Sequence, residues 1–119
     1  MKYSFEKLDV WKKSKDFAVG VYQVTSMFPK EEKFGLVSQL RRASVSVSSN
    51  IAEGSSRTSG KYQGRFYTIA YSSAIEVLNQ ILISKELNFL TVEVYEELRA
   101  DIEHITGMIN RLHHSVQKT

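Results

Sequence analysis

Arg57, Lys61 and Arg65 are spaced by fours across a loop and into the first turns of a helix-forming stretch, and Arg41 with Arg42 stands upstream at the far end of the preceding one. Guanidinium and ammonium groups on helix surfaces neutralise phosphates, giving affinity that is sequence-tolerant and strongly dependent on salt. These five are the candidate nucleic-acid-binding residues, with structured RNA or another nucleic acid as the candidate partner. Lys12, Lys13 and Lys15 form a further cluster. The same cations would serve equally well as a solvated face, or as salt-bridge partners for the acidic residues near the C-terminus. Both readings stay open at this point.

Other chemistries find less support. A helix-bundle metal site needs Glu and His groups converging at i, i+3 or i+4 on an inward face. Asp101 and His104 stand three apart, but both lie off the apolar seam and no second such pair exists; His113 and His114 are adjacent and point apart. The serine-rich run Ser44 to Ser49 has no Gly-x-Ser-x-Gly elbow and no positioned histidine. Neither a Gly-x-Gly-x-x-Gly turn nor a phosphate-cradling loop occurs. The tyrosines and phenylalanines mostly follow helical core stripes and are not read as base-stacking platforms. No catalytic residue, cofactor or metal ligand is assigned, and the expectation is a protein that is not an enzyme.

The elements that must position these cations follow from periodicity. With 119 residues, 42% hydrophobic and 24% charged, the chain is the size of one domain, residues 1–119. One proline and six glycines favour long helices over a sheet with many turns. The absence of cysteine excludes a disulfide framework, and the N-terminus lacks the apolar core of a signal peptide. The most apolar run, Phe66 to Ser84, is broken by Glu76, Asn79 and Gln80, so no membrane span is expected and a cytoplasmic location is. Through Arg65 there are twelve Lys/Arg against six Asp/Glu, and from Phe66 onward four against seven. Such polarity steers an anionic partner to one surface, or lets copies of the chain associate.

The spacing predicts four helices, at about 9–27, 34–56, 60–87 and 91–117, with Phe5 and Leu8 covering one end of the bundle. Asp9, Ser59 and Thr91 are the expected N-caps of the first, third and fourth, and Asn88 closes the third. Trp11, Ala18, Val21, Thr25 and Phe28 recur on one face of the first helix. The second places Leu40, Ala43, Val47 and Ile51 together and is otherwise thin, with Ser46, Ser48, Ser49 and Ala52 leaving little bulk. That predicts close approach of neighbouring helices and a central position. The third is apolar on more than one face, through Phe66, Ile69, Val77 and Ile81 and again through Tyr71, Leu78, Leu82 and Ile75. A helix of that kind is either central or meets another subunit. Tyr95, Leu98, Ile102, Ile105, Ile109, Leu112 and Val116 form the seam of the fourth. Short connections favour an all-α, antiparallel, up-down-up-down four-helix bundle.

The motif Gln39-Leu40-Arg41-Arg42-Ala43, followed by Ser49-Asn50-Ile51-Ala52-Glu53-Gly54, resembles the 23S rRNA intervening-sequence protein family, whose members are often described only as four-helix bundle proteins. Leu8-Asp9-Val10-Trp11, Phe28-Pro29, Gly35-Leu36, Arg57 with Ser59, and Leu87 extend the resemblance over nearly the whole chain. Ser48 stands where such sequences usually carry proline, which puts any kink in the second helix in doubt. The resemblance implies a gene lodged in an inserted segment of ribosomal RNA, or a scaffold in RNA-templated chemistry. It also implies a homo-oligomeric ring, a pentamer lined with basic residues, as in the similar accessory proteins of diversity-generating retroelements. The leading expectation is therefore a homo-oligomeric, RNA-binding bundle; the alternative is an oligomeric adaptor that docks a protein partner.

Overall fold

The structure, a computed structural model, describes residues 3–117; what was expected of residues 1, 2, 118 and 119 lies outside the described residues. Four helices follow one another, α1 (Asp9–Thr25), α2 (Leu36–Ser55), α3 (Gly60–Glu86) and α4 (Val92–Gln117). Short 3-10 turns at Ser4–Lys7 and Lys30–Glu32 precede α1 and α2, and no strand occurs among the described residues. None of the helices is long and apolar enough to cross a membrane among the described residues.

Consecutive helices pack side by side and antiparallel. Arg41, early in α2, reaches Thr25 and Tyr22 at the end of α1. Gly54, late in α2, faces Phe66 and Tyr67 early in α3, while Gln39 at the other end meets Gln80. Thr68 in α3 lies beside His113 late in α4, and Lys85 covers the ring of Tyr95 early in α4. α4 closes on α1 along the sparsest of the four helix–helix seams. The core between them is Val21, Leu40, Val47, Ile51, Tyr67, Ala70, Ala74, Val77, Ile81, Ile102, Ile105 and Ile109, all essentially shielded from water. At about 25 cal/mol per Å² of apolar surface removed from water, this burial is the main term holding α2, whose serines are poor helix formers.

The sequence places α2 between neighbours on every side, and the structure corrects this. α2 touches α1 and α3 but lies diagonally across from α4. Its thinness shows on the α3 side: the Ser46 and Ser73 hydroxyls share a hydrogen bond of 2.8 Å, and a methyl group on Gly54 would stand 2.7 Å from the Tyr67 ring and 2.9 Å from Phe66 Cβ. Ser49 is exposed, and Ser48 and Ala52 are half-buried. α2 runs unbroken through Ser48, which bonds back to the Val45 carbonyl at 3.0 Å.

The ends differ in detail from expectation. Leu8, not Asp9, holds the N-cap position of α1, and Asp9 contributes its charge within the first turn. Ser59 occupies the N-cap of α3 without a side-chain hydrogen bond to that helix end. Thr91 caps α4, with the Val94 N–H donating to its Oγ1 at 3.2 Å. The Glu32 carboxylate caps α2, accepting from the Leu36 N–H at 3.2 Å. Asn88 closes α3 in the left-handed region at φ 61°, with Phe89 N–H bonded to Ser84 and Asn88 N–H to Lys85. α1 and α2 are each shorter than the sequence suggests, because Pro29 and Gly35 fall between them.

Candidate nucleic-acid interface

The five candidate cations separate into two groups at opposite ends of α2, roughly 20 Å apart at 1.5 Å per residue. Antiparallel packing places Arg41 and Arg42 beside the end of α1, and Arg57, Lys61 and Arg65 where α2 turns into α3. None of the five takes part in an ion pair among the described residues. The α1 cluster differs. Lys13 pairs with Asp101 of α4 at 3.6 Å, and Lys15 pairs with Asp16 at 3.3 Å and also covers the Trp11 ring. The salt-bridge reading therefore describes Lys13 and Lys15, and not the five.

At the α1 end, Arg41 is half-buried and held in place. Its Nε donates to Thr25 Oγ1 at 2.9 Å, its Nη2 to the Tyr22 carbonyl at 3.2 Å, and the guanidinium lies 4.5 Å from the Tyr22 ring centre. Arg42 is exposed beside it. With Tyr22, Lys33 and Phe34 they line an open groove of about 520 Å³ that no Asp or Glu among the described residues enters. Phe34 is 87% exposed, with the Lys33 ammonium 5.4 Å from its ring.

At the α3 end two grooves share Thr58, Ser59 and Arg65 as a common wall. The larger, about 930 Å³, is lined by Lys61, Thr68 and His113 together with the N-terminal residues of α3. The uncapped start of that helix adds the positive end of its dipole to these cations. Gly64 lets His113 approach, since a methyl there would stand 3.3 Å from its Nε2. The smaller groove, about 520 Å³, is lined by Arg57, Tyr62, Arg65, Phe66 and Ile69. Arg57 lies 5.0 Å from the Phe66 ring centre and Arg65 5.3 Å from that of Tyr62. Among the described residues no carboxylate lines either groove. Glu53, the single acid of α2, is exposed in its last turn.

Sequence reasoning passes over the aromatic component. Tyr22, Phe34 and Tyr62 are 46%, 87% and 51% exposed, each with a cation over its ring, where core stripes were expected to take the aromatics. The signal was present in the adjacency of Lys33 and Phe34 and in Tyr62 three residues before Arg65. His113 is also missed, because only the fold brings it to Lys61. Among the described residues no three His, Cys, Asp or Glu side chains gather as a metal cluster; Asp101 is engaged by Lys13, and His104 is exposed.

A solved structure from Bacteroides thetaiotaomicron, described as a protein with unknown function from the S23 ribosomal protein family, has the same fold. It superposes with a TM-score of 0.82 at 24% identity, covering 88% of this chain and 95% of that one. No curated protein matches. The family model described as 23S rRNA-intervening sequence protein matches residues 6–111, which includes all five candidate cations and both ends of α2. The chain belongs to the 23S rRNA-intervening sequence protein family.

Proposed function

We propose that this protein is a non-enzymatic homo-oligomer that binds RNA through the cations at the two ends of α2. The observation that carries this reading is the contrast in charge compensation. Arg41, Arg42, Arg57, Lys61 and Arg65 face open grooves with no carboxylate among the described residues, while Lys13 and Lys15 are matched by acids. Uncompensated cations on a rigid helical frame are the arrangement that exchanges condensed counterions for phosphates. The family's description, which ties it to an intervening sequence of 23S rRNA, agrees with an RNA partner.

Self-association is supported by α3. Ile75, Leu82 and Ile83 remain 36–43% exposed although they sit on the longest helix of the bundle. A second copy laid against that helix would cover them, and a ring of five is the assembly the family resemblance suggests. Repetition of the cationic grooves around a ring would multiply weak phosphate contacts through effective concentration.

A salt titration of binding to structured RNA, run with light scattering on the same sample, tests both halves. The protein is expected to bind with log K falling linearly against log salt, and Gln at all five positions to weaken binding and flatten that slope. Unchanged affinity in the five-fold variant rejects the assignment. A protein partner recovered after nuclease treatment, with no RNA retained, turns the reading to a protein-docking adaptor. A mass that stays at one subunit at high concentration rejects the oligomer.

A further inference from the structure

The two grooves at the α2–α3 turn differ in a way that charge alone does not require. The larger is polar and cationic around Lys61, Thr68 and His113. The smaller puts the Tyr62 ring and Ile69 at the surface beside two guanidiniums, with Phe66 half-buried and its ring 5.0 Å from Arg57. Arg65 is common to both, so a ring-shaped apolar surface and an anion-attracting surface lie on either side of one residue. Duplex RNA presents phosphates and 2′-hydroxyls but keeps its base faces stacked inside, and has no use for an exposed tyrosine flanked by arginines. An unpaired nucleotide has both a free π-face and a phosphate. Aromatic rings and guanidinium planes are the surfaces on which such bases stack.

We infer that the Arg57–Tyr62–Arg65–Phe66 groove seats the base of an unpaired nucleotide, with its phosphate toward Lys61 and His113, so that the protein prefers single-stranded RNA segments to duplex. This rests on the RNA-binding reading and narrows it to a substrate class. Tyr62 stands in the first turn of α3 and is half-exposed, so its replacement leaves the core untouched. Arg65 stacks on one side of Tyr62 and leaves room within about 520 Å³ for a base on the ring or on the guanidinium. The groove is open along Ile69, which allows any of the four bases to enter. The site therefore reads strandedness and not sequence.

The test uses the full-length protein with two fluorescent probes at one salt concentration, an unstructured twelve-nucleotide RNA and a twelve-base-pair RNA duplex. The single strand is expected to bind at least roughly tenfold tighter than the duplex. Tyr62→Leu, which keeps apolar bulk but removes the π-face, should lower single-strand affinity roughly tenfold without changing the salt slope. Tyr62→Trp should retain the affinity and show indole fluorescence quenching on addition of the single strand beyond that of the parent protein. Duplex binding as tight as single-strand binding overturns the inference. So does a Tyr62→Leu variant with parental affinity, provided Gln at Arg57, Lys61 and Arg65 still weakens binding; the broader RNA reading then survives. Absence of binding to either probe at low salt overturns both.

Discussion

The seam between α2 and α3 and the seam between α1 and α4 solve the same packing problem differently. Along α2–α3 the helices approach closely because Gly54, Ser46 and Ser73 remove bulk where they meet, and the cations at its ends are left without acids. Along α1–α4 the packing is sparse, and Lys13 and Asp101 bridge it with opposite charges. Close packing fixes the backbone that carries Arg57, Lys61 and Arg65, and an absence of counter-charge keeps them available. The looser seam has the reverse character: its charges are matched to each other. A count of Lys and Arg therefore says little about binding until the fold decides which of them meet a carboxylate.

The largest expected effect concerns the steric half of the comparison. Gly54→Ala places a methyl within 3 Å of both the Tyr67 ring and Phe66 Cβ, and Cβ cannot swing away without moving the α3 backbone. Overpacking of this kind costs about 1–3 kcal/mol. Gly20→Ala, on α1, meets nothing within 4 Å and replaces a poor helix former, so it should stabilise by up to about 1 kcal/mol. Opposite signs in urea denaturation would sharpen the contrast; a tolerated Gly54→Ala would break the description of α2–α3 as the tight seam.

The electrostatic half comes next. Gln at Arg57 and Arg65 removes the same formal charge as Gln at Lys13 and Lys15, the two lysines of α1 that are matched by acids. If compensation decides which cations bind, the first variant loses roughly tenfold or more in RNA affinity at low salt, and its salt slope falls by about 0.7–0.9 for each phosphate left unneutralised. The second should change little. Equal losses from both, measured by fluorescence anisotropy, would mean that net charge alone governs binding and that the grooves have no special part.

How much of this could be read from the chain depends on which forces are local. The helices were legible because Tyr95, Leu98, Ile102, Ile105 and Ile109 keep a strict three-four spacing, and because Asn88 and Thr91 punctuate it. The four-helix, all-α architecture followed from those patterns and from the short connections. Ser59 and Asp9 were less legible: cap position is a matter of backbone path, and at the start of α3 the hydroxyl does not turn back onto the helix. The orientation of the thin face of α2 could not be read, since small residues permit close approach without saying on which side it occurs. Of the candidate site, the cations were visible as types and spacings. Their division into two ends, the aromatic rings beneath them and the arrival of His113 from α4 depend on packing between residues far apart in sequence, which periodicity does not encode.

A smaller effect is expected from pH. Burial in the α2–α3 seam holds the Tyr67 phenol above its ordinary range near 10. Because the folded protein favours the neutral phenol, this contribution to stability is fully present below the unfolded value and is lost as pH rises through the higher folded one. Denaturation midpoints should therefore be insensitive to this group at neutral pH and fall on the alkaline side of about pH 10, and Tyr67→Phe should reduce that fall. An alkaline limb unchanged by Tyr67→Phe would place the loss elsewhere than at this seam.

The smallest effect should come from the ion pair that distinguishes the looser seam. Lys13 and Asp101 are 3.6 Å apart with side chains 33% and 51% exposed, and exposed pairs of this kind contribute about 0.2–1 kcal/mol in double-mutant cycles. A Lys13→Met and Asp101→Asn cycle should give a coupling at the low end of that range, shrinking further as salt is added. The pair then acts mainly to neutralise Lys13 and adds little to the cohesion of the bundle. That makes Asp101→Asn informative beyond stability. It frees a lysine on the α1–α4 side without adding any cation to the sequence, so any gain in RNA affinity would come from lost compensation and the overall charge together. Glu97→Gln, with no ion-pair partner among the described residues, supplies the control for charge alone. A larger gain from Asp101→Asn than from Glu97→Gln would show that pairing has been keeping this face out of the binding surface.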